Sequence, residues 1–524
     1  MSTAGLRGGA PGVKVAANRA GRLAVLTYDS LAAVDLGSNS FHLQIGRVVD
    51  DQVYPLDSLR EPVRLGAGLT RDKKLDRATQ LRALEALARF GERLQGFPAG
   101  AVRAVGTNAL RIAKNSGPFL AEAQVALGFP IEVVFGREEA RLIYLGVSHS
   151  MPPSAERRLV VDIGGGSTEF IIGTGFEPEL MESLPMGCVS WSLRFFPDGR
   201  IDKAGMRRAE VAASTEIERI VRAYRKAGWS EAVGSSGTVK TVAATLAASG
   251  WSAQGIDREG LDRLRAHLLK AGDAARLALP MVKEERATVL AGGVAVLAAV
   301  FDGLGIEHMR VSDGALRIGV LYDLLGRVQH HDQRDLTARA LMRRYHVDHG
   351  QAERVHALAE RLLRQLAPRA AEEDVQMLRW AASLHEIGLT IAQTGYHKHS
   401  AYIVSNGDMP GFSGNEQARL ARIVLAHRGK LAKIEGLPAK SADWLVVFAL
   451  RLAALVYRSR IDFDLPPIGC RATDAGFLVS VPDGWLDEHP LTAAALEAEA
   501  EEWRALGTRF DVRPVTAGKA QVAG

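Results

Sequence analysis

The chain has 524 residues, of which 47% are apolar and 24% charged, and its formal net charge is +5. This length allows three or four domains, and the composition is that of a globular protein, which excludes a disordered or fibrous chain. Two cysteines, Cys188 and Cys470, are too few for a disulfide framework, so a cytoplasmic location is expected. The longest uncharged apolar stretch, 287–301, is too short for a membrane span and predicts a buried helix.

The N-terminal part begins with a segment that we expect to be a disordered tail, residues 1–28, because it is small and basic and has no signal-peptide core. Strand-like runs over 31–49 then enclose a first loop, DLGSNS (35–40). A further strand over 53–65, a helix over 74–90 and a buried strand over 101–106 follow.

A short helix is predicted after this buried strand, with Thr107 and Asn108 as candidate caps. Arg111 then falls in the first turn, where a guanidinium beside free backbone N–H groups can hold a phosphate. An ordinary surface arginine is the alternative.

A second pair of elements, a strand over 131–135 and a helix over 137–146, brings Glu138 and Glu139 into a first helical turn. Acidic residues there are ordinary partners of the helix dipole. Because this helix ends just before the next glycine-rich loop, one of the two acids could instead point into a cleft.

That next loop lies in the hairpin LVVDIGGGSTEFIIG (159–173). Gly164, Gly165 and Gly166 let backbone N–H groups surround an anion, and Ser167 adds a hydroxyl. Asp162 and Glu169 would repel a bare phosphate, so a cation is expected between them and it. The loop therefore predicts a phosphate and Mg²⁺ site, with a flexible hairpin and incidental acids as the alternative.

The same pattern occurs twice. Residues 34–46 (VDLGSNSFHLQIG) and 161–173 (VDIGGGSTEFIIG) share Val, Asp, Gly, Ser, Ile and Gly at 34/161, 35/162, 37/164, 40/167, 45/172 and 46/173. An internal repeat implies two related supersecondary units. We therefore expect two lobes that face each other across a cleft.

Two further loops follow the same logic of strand, loop and helix N-terminus. GSSGT (234–238) precedes a helix over 239–248, and Asp313-Gly314 precedes a helix over 315–325 with Arg317 in its first turn. MGCVS (186–190) reads as a strand-to-helix turn, and 203–227 as a long amphipathic helix. Four such loops in one α/β region are hard to explain without a phosphorylated ligand.

Helices dominate beyond residue 330, at 336–345, 351–366, 374–385, 415–427 and 442–459. A strand (476–481), a helix (491–506) and a strand (509–515) then form a small α/β cap. His385-Glu386 ends a helix, with His356 upstream, and this pattern is found in metal-dependent phosphohydrolases. Metal ligation needs several such groups to converge, so packed or anion-binding histidines are favoured.

Seven motifs in a specific order carry a family resemblance: DLGSNS (35–40), GTNALR (106–111), GREEARLIYLGV (136–147), DIGGGSTE (162–169), MGCVS (186–190), GSSGT (234–238) and SDGALR (312–317). Together they resemble the exopolyphosphatase / guanosine pentaphosphate phosphohydrolase family. LHEIGL (384–389) and HKHSAYI (397–403) resemble the HD-like domain of its long bacterial members. HD proteins carry His-Asp where this chain has His385-Glu386, which puts an independent metal centre in doubt.

The resemblance implies an α/β fold of two actin-like, Hsp70-like (ribonuclease H-like) lobes, an all-helical HD-like domain and a small C-terminal domain. The expected boundaries are 29–143 and 144–328 for the lobes, 329–473 for the helical domain and 474–524 for the last domain and tail.

The resemblance also assigns roles for phosphoanhydride hydrolysis. Glu139 would activate water, with Glu138 as the near alternative. Asp162, Glu169 and Asp35 would place Mg²⁺, and a K⁺ requirement is left open. The expected phosphate ligands are Arg111, Gly164, Gly165, Gly166, Ser167, Asn39, Ser236, Gly237 and Thr238, with Asn108, Asp313 and Arg317 as further candidates.

Inorganic polyphosphate is the expected substrate, because long polyphosphate needs a basic track and the helical part is rich in Arg and Lys. Guanosine pentaphosphate is the runner-up, and a sugar or acid kinase of the same fold and a non-catalytic scaffold are more remote. A homodimer is expected, a specific nucleic-acid partner is not, and peripheral membrane association is left open.

Overall fold

The computed structural model describes residues 13–16, 25–49, 51–152, 154–328, 332–434, 437–438 and 441–515. The chain forms two compact units, residues 1–333 and 334–524. The first unit contains two lobes, each built around a mixed sheet.

The first lobe is preceded by a short two-stranded ladder. Its elements are β1 (Val13–Ala16), β2 (Val25–Tyr28), β3 (Ser30–Leu36), β4 (Phe41–Val49), β5 (Gln52–Glu61), α1 (Arg77–Arg93), β6 (Val102–Gly106), α2 (Asn108–Ile112), α3 (Ser116–Leu127), β7 (Ile131–Val133) and α4 (Gly136–Ser150). The strands β1 and β2, which pair antiparallel, lie within the segment that we expected to be a disordered tail. The rest of residues 1–24 lies outside the described residues.

The second lobe repeats this arrangement with added helices. Its elements are β8 (Arg157–Ile163), β9 (Thr168–Thr174), β10 (Glu177–Leu184), α5 (Cys188–Phe195), α6 (Lys203–Ala227), β11 (Glu231–Ser235), α7 (Ser236–Ala248), β12 (Ile256–Asp257), α8 (Arg258–Ala271), α9 (Glu284–Leu304), β13 (His308–Val311) and α10 (Leu316–Val328).

The two sheets have the same strand order. It is β5-β4-β3-β6-β7 in the first lobe and β10-β9-β8-β11-β13 in the second, where β12 adds one edge strand. In both, the first three strands form an antiparallel meander, and the inner strand of the meander pairs in parallel with the next. The sequence repeat lies on the hairpins β3–β4 and β8–β9, so the predicted duplication is confirmed.

The helices α4 and α10 join the lobes. A core cluster that includes Leu31, Val105, Ile143, Val160 and Val320 draws on both sheets and both helices. The expected lobe boundary at 143/144 falls inside α4, which is continuous from Gly136 to Ser150. This helix therefore belongs to the connection between the lobes.

The apolar stretch 287–301 lies in α9, as a buried helix, which confirms that prediction. By length and composition α9 passes the test for a membrane span, but 67% of its most apolar window is buried within the protein. Its buried side chains belong to the core of the second lobe.

Local predictions around α2 were wrong in detail. Thr107 precedes the helix without capping it, and its hydroxyl donates instead to the Leu36 carbonyl at 3.4 Å. Since α2 has only five residues, Arg111 lies in its last turn. The helices α3 and α8 were not predicted.

The second unit is mainly helical. Its elements are α11 (Gln333–Arg344), α12 (His349–Leu366), α13 (Glu372–Leu384), α14 (Tyr396–Asn406), α15 (Gly414–Ala426), α16 (Asp443–Val456), β14 (Gly469–Thr473), β15 (Gly476–Pro482), α17 (Trp485–Glu488), α18 (Pro490–Ala505) and β16 (Arg509–Val515). The helix α14 was not predicted. The last three strands form one sheet, and Phe448 of α16 stacks on Phe477 of β15 with ring centroids 3.9 Å apart. The cap therefore shares a core with the helices.

Candidate active site

Glu139 lies in the first turn of α4 with a partner from the first lobe. Its Oε2 accepts a hydrogen bond from Nη1 of Arg111 at 2.6 Å, and its side chain is 9% exposed. The same Arg111 nitrogen donates to the carbonyl of Val134 at 2.8 Å. The guanidinium therefore holds the Glu139 carboxylate in one orientation, a contact that the expected phosphate-binding role of Arg111 did not include.

Glu138, the alternative base, is committed to other partners. Both of its carboxylate oxygens accept hydrogen bonds from Arg141, each at 2.8 Å. Its side chain is buried and also lies 3.9 Å from the guanidinium of Arg103. Successive residues of a helix point about 100° apart, so Glu138 and Glu139 serve different surroundings. The geometry favours Glu139 as the reactive acid.

Three carboxylates from the two hairpins lie close enough to Glu139 for its charge to affect their pKa values. Burial raises the pKa of Asp35 to about 7, helped by the charges of Glu139 and Asp162 and opposed by Arg317. Burial raises the pKa of Asp162 to about 6, although the hydroxyl of Ser235 donates to it. Burial raises the pKa of Glu169 well above its ordinary value, helped by the negative charges of Glu139 and Asp162.

These acids suit a cation that is shared with a ligand. Asp35 Oδ1 is buried and has no hydrogen-bond partner among the described residues, while Ser183 donates to Glu169 Oε1 at 2.8 Å. In the described part of the chain no three His, Cys, Asp or Glu side chains are placed to hold a metal by themselves. Mg²⁺ is commonly held by one or two carboxylates together with water and substrate phosphates, so the residues fit that ion.

The central loop is shaped by the approach of other backbone segments. A Cβ on Gly165 would lie 3.0 Å from Cβ of Ser38, and one on Gly166 would overlap the side chain of Asn108. None of Gly164, Gly165 and Gly166 has a positive φ. The glycines are thus required for space, and they let the glycine loops of the two lobes touch.

Hydrogen bonds close this loop into a tight turn. Gly164 N–H donates to the Ser167 carbonyl at 2.9 Å, and Cys188 N–H donates to the Gly164 carbonyl at 2.9 Å. The hydroxyl of Ser167 is hydrogen-bonded to Glu169. From the first lobe, Asn39 lies beside the loop, with its N 3.4 Å from the Cβ position of Gly165.

The third loop presents a strained serine. Ser236 has φ of 88°, a left-handed conformation that side chains rarely adopt and that is concentrated at functional sites. The side chain of Thr238 hydrogen-bonds the Cys188 thiol, so it faces the interior of the lobe. A Cβ on Gly237 would overlap the guanidinium of Arg286.

The fourth loop contains two candidate residues, Asp313 and Arg317, which lie in different surroundings. Arg317 lowers the pKa of both Asp35 and Asp162 by its positive charge, which places it among the cleft carboxylates. The side chain of Asp313 is fully exposed and pairs with Nζ of Lys240 at 3.2 Å. The structure therefore brings Arg317, but not the Asp313 carboxylate, to the cleft.

Three basic residues were missed by sequence reasoning. Arg60 of β5 pairs with Glu285 of α9 at 2.9 Å, across the two lobes. The pKa of His42 falls to about 2 because of burial and the positive charges of Arg317, Arg60 and Arg286. Arg286 could have been found, since like Arg317 it opens a helix, α9, whereas β5 carries no such signal for Arg60.

The histidines of the second unit pack against each other. His385 and His427 are both buried, with ring centroids 5.0 Å apart, and burial lowers both pKa values. Nε2 of His427 lies 3.3 Å from the Tyr396 hydroxyl. Neutral, packed histidines of this kind agree with the structural interpretation of the HD-like motif.

The fold and this cleft define a class of protein, a two-lobed actin-like enzyme that hydrolyses phosphoric anhydrides. Residues 44–328 match the Ppx/GppA phosphatase family, and residues 333–500 match Ppx/GppA phosphatase, domain III. The chain belongs to the Ppx/GppA phosphatase family, as the motifs predicted.

Individual relatives support this membership. The guanosine-5'-triphosphate,3'-diphosphate pyrophosphatase of Aeromonas hydrophila subsp. hydrophila is 39% identical over 483 residues, 91% of this chain and 97% of that protein. The crystal structure of an exopolyphosphatase from Cytophaga hutchinsonii has a TM-score of 0.52 and 27% identity, covering 56% of this chain and 97% of that one. An exopolyphosphatase-like protein has a TM-score of 0.52 and 25% identity, covering 57% and 98%.

Proposed function

We propose that this protein is an exopolyphosphatase that releases terminal orthophosphate from inorganic polyphosphate. The observation that carries the proposal is Glu139, which is held by Arg111 at 2.6 Å and whose charge acts on the carboxylates of both hairpins. An anchored carboxylate beside anion-binding loops is suited to hydrolysis, in which water must be positioned against a phosphoryl group. The relative named as an exopolyphosphatase supports this choice.

In the proposed reaction, Glu139 accepts a proton from a water molecule as that water attacks the terminal phosphorus. Backbone N–H groups at Gly165 and Gly166 hold the equatorial oxygens, and Arg317 offsets charge that develops on the transferred group. The fixed position of Arg111 keeps the Glu139 carboxylate aimed at the water. Such catalysis depends on positioning, so small displacements of these loops have large effects.

Mg²⁺ is the proposed cofactor, with Asp35, Asp162 and Glu169 as the residues that would hold it. When bound, it neutralises charge on the phosphates and on the departing group. Its charge would also oppose the burial and the mutual repulsion that raise the pKa values of these three acids.

A basic track in the helical unit is the proposed determinant of chain length. Lys398, Arg422 and Lys433 line a cavity of about 620 Å³ between α14 and α15. Burial lowers the pKa of Lys433 to about 8, as do the charges of Arg451 and Lys398. Arg354, by contrast, is paired with Asp462 at 3.0 Å and has less charge to offer.

Guanosine pentaphosphate is the second candidate substrate. It is favoured by the 39% identical relative named as a guanosine-5'-triphosphate,3'-diphosphate pyrophosphatase. The cleft groups described above can bind a terminal phosphoryl group together with a cation. Both substrates carry a terminal phosphoryl group. A cytoplasmic homodimer is the proposed working state.

The deciding experiment measures phosphate release with Mg²⁺ from long polyphosphate and from guanosine pentaphosphate at equal concentration, with ATP plus sugars as a third arm. We expect the highest rate on polyphosphate, and higher rates on pentaphosphate would establish the second candidate. Glu139→Ala should abolish turnover while the protein still folds, because it removes the base. Near-normal turnover by that variant would refute the mechanism, and sugar phosphorylation would refute the reaction class.

A further inference from the structure

A buried ion network lies behind the cleft and is not used by the proposed chemistry. Its six members carry three positive and three negative charges and come from β6, β7, α4 and α10. They are Arg103, Glu132, Glu138, Arg141, Asp323 and Arg327. Arg103, Glu138, Arg141 and Asp323 are each at most 7% exposed.

Asp323 is the centre of this network. Its Oδ2 accepts from Nη1 of Arg103 at 2.6 Å and from Nε of Arg327 at 3.0 Å, and its Oδ1 accepts from Nη2 of Arg141. Although burial acts to raise the pKa of Asp323, the three arginines hold it well below its usual value. This carboxylate is therefore charged at neutral pH and joins α10 to α4 and to the first-lobe strand β6.

Arg141 connects Asp323 to the first turn of α4. It binds both oxygens of Glu138 at 2.8 Å while donating to Asp323. Glu138 is the immediate neighbour of Glu139, so the network fixes the helical turn from which Glu139 reaches into the cleft. Bidentate arginine–carboxylate pairs add geometric specificity to their energy.

A second device holds the same two helices together. A Cβ on Gly319 of α10 would overlap the Leu142 carbonyl, and one on Gly146 of α4 would overlap the Ala315 carbonyl. The helices thus cross in direct backbone contact. Because α10 also carries Arg317 to the cleft, the crossing fixes Glu139 and Arg317 relative to each other.

A buried ion network is a poor way to gain stability, since well-packed apolar residues often do as well or better. Networks whose members are all satisfied can specify one geometry. We propose that Asp323 is a positioning residue of the hydrolytic reaction, which acts through Arg141 and Glu138 to fix Glu139. This inference rests on the proposed function of the same cleft.

The test is Asp323→Asn, which keeps the shape and removes the charge. We expect kcat to fall about tenfold or more while KM changes by less than about threefold, because the helix that carries the base shifts. The matched control is Glu210→Gln, the same chemical change at a carboxylate that pairs with Arg265 at 2.9 Å between α6 and α8. It should lower the melting temperature without lowering kcat.

A double variant separates positioning from general damage. In the Glu139→Gln background, Asp323→Asn should lower the residual rate by less than about threefold, since groups that act as a unit are non-additive. A full, additive loss, or a wild-type kcat in Asp323→Asn, would overturn the inference. If Asp323→Asn does not fold, Arg327→Gln at the network rim should lower kcat about threefold at unchanged KM, and an unchanged kcat there would equally overturn it. Absence of phosphate release by the wild-type enzyme would instead overturn the proposed function.

Discussion

Gly187 packs against the central glycine loop through a contact that leaves no room for a side chain. Its backbone is extended, with φ −147° and ψ 166°, so alanine would be unstrained there. A Cβ would, however, lie 2.5 Å from both the Gly165 carbonyl carbon and the Gly166 nitrogen. Ordinary contacts begin near 3.4 Å, so this peptide would have to move by about 0.9 Å.

We therefore expect Gly187→Ala to reduce kcat by about 10²-fold, the effect of a displacement of roughly 1 Å at a reacting centre. The cost of overpacking is about 1–3 kcal/mol, which would lower the melting temperature by several degrees. The assay is phosphate release per folded protein, with folding followed by circular dichroism and calorimetry.

The control is Gly117→Ala in α3, where a Cβ would meet nothing within 4 Å. It should leave kcat unchanged, because α3 carries none of the residues of the candidate site. A Gly187→Ala enzyme that is folded and has the wild-type kcat would refute the reasoning, since the loop would then tolerate a displacement of this size.

The pKa of Asp35, raised to about 7, predicts that protons compete with Mg²⁺. The Mg²⁺ concentration for half-maximal phosphate release should be about tenfold higher at pH 6 than at pH 8, and a smaller ratio in Asp35→Asn would tie the effect to this group. Because the folded protein holds this proton between about pH 4 and 7 and the unfolded chain does not, its contribution to stability is lost as pH rises through that window. Burial lowers the pKa of His427, so stability that is present above pH 6.5 should be lost as pH falls below it. Calorimetry should show a lower melting temperature for the second unit at pH 5.5 than at pH 7.5. A His427→Gln variant with the same pH dependence would contradict this assignment.

The repeat of residues 34–46 in residues 161–173 made the fold predictable, because matching local patterns indicate equivalent strands and loops. The β3–β4 and β8–β9 hairpins and their equivalent sheet positions follow from it. Elements without strong periodicity, such as α14, were missed. Its sequence contains mixed polar and apolar residues, and tertiary packing decides its conformation.

The candidate site was predictable by residue type and less so by contact. Local patterns indicated Arg111 and the pair Glu138 and Glu139, and the family resemblance selected Glu139. No pattern could show that Arg111 and Glu139 form an ion pair, because their side chains meet from different elements. The glycines of the central loop were chosen for their affinity to anions, whereas the structure shows that Asn108 and Ser38 occupy the space a Cβ would need. Long-range approach of this kind is a property of the fold.

The division of labour between Glu138 and Glu139 shows why adjacent residues of one type need not be interchangeable. Glu138 is paired with the buried Arg141. Glu139 is paired with Arg111 at the edge of the cleft. Both oxygens of Glu138 already accept hydrogen bonds from Arg141, so this carboxylate is committed to the buried network. Glu139 keeps Oε1 outside its pairing with Arg111, which uses Oε2. In the proposed mechanism, the choice between the two acids thus depends on the buried network, in which Arg141 binds Glu138 and Asp323 and leaves Glu139 to the cleft.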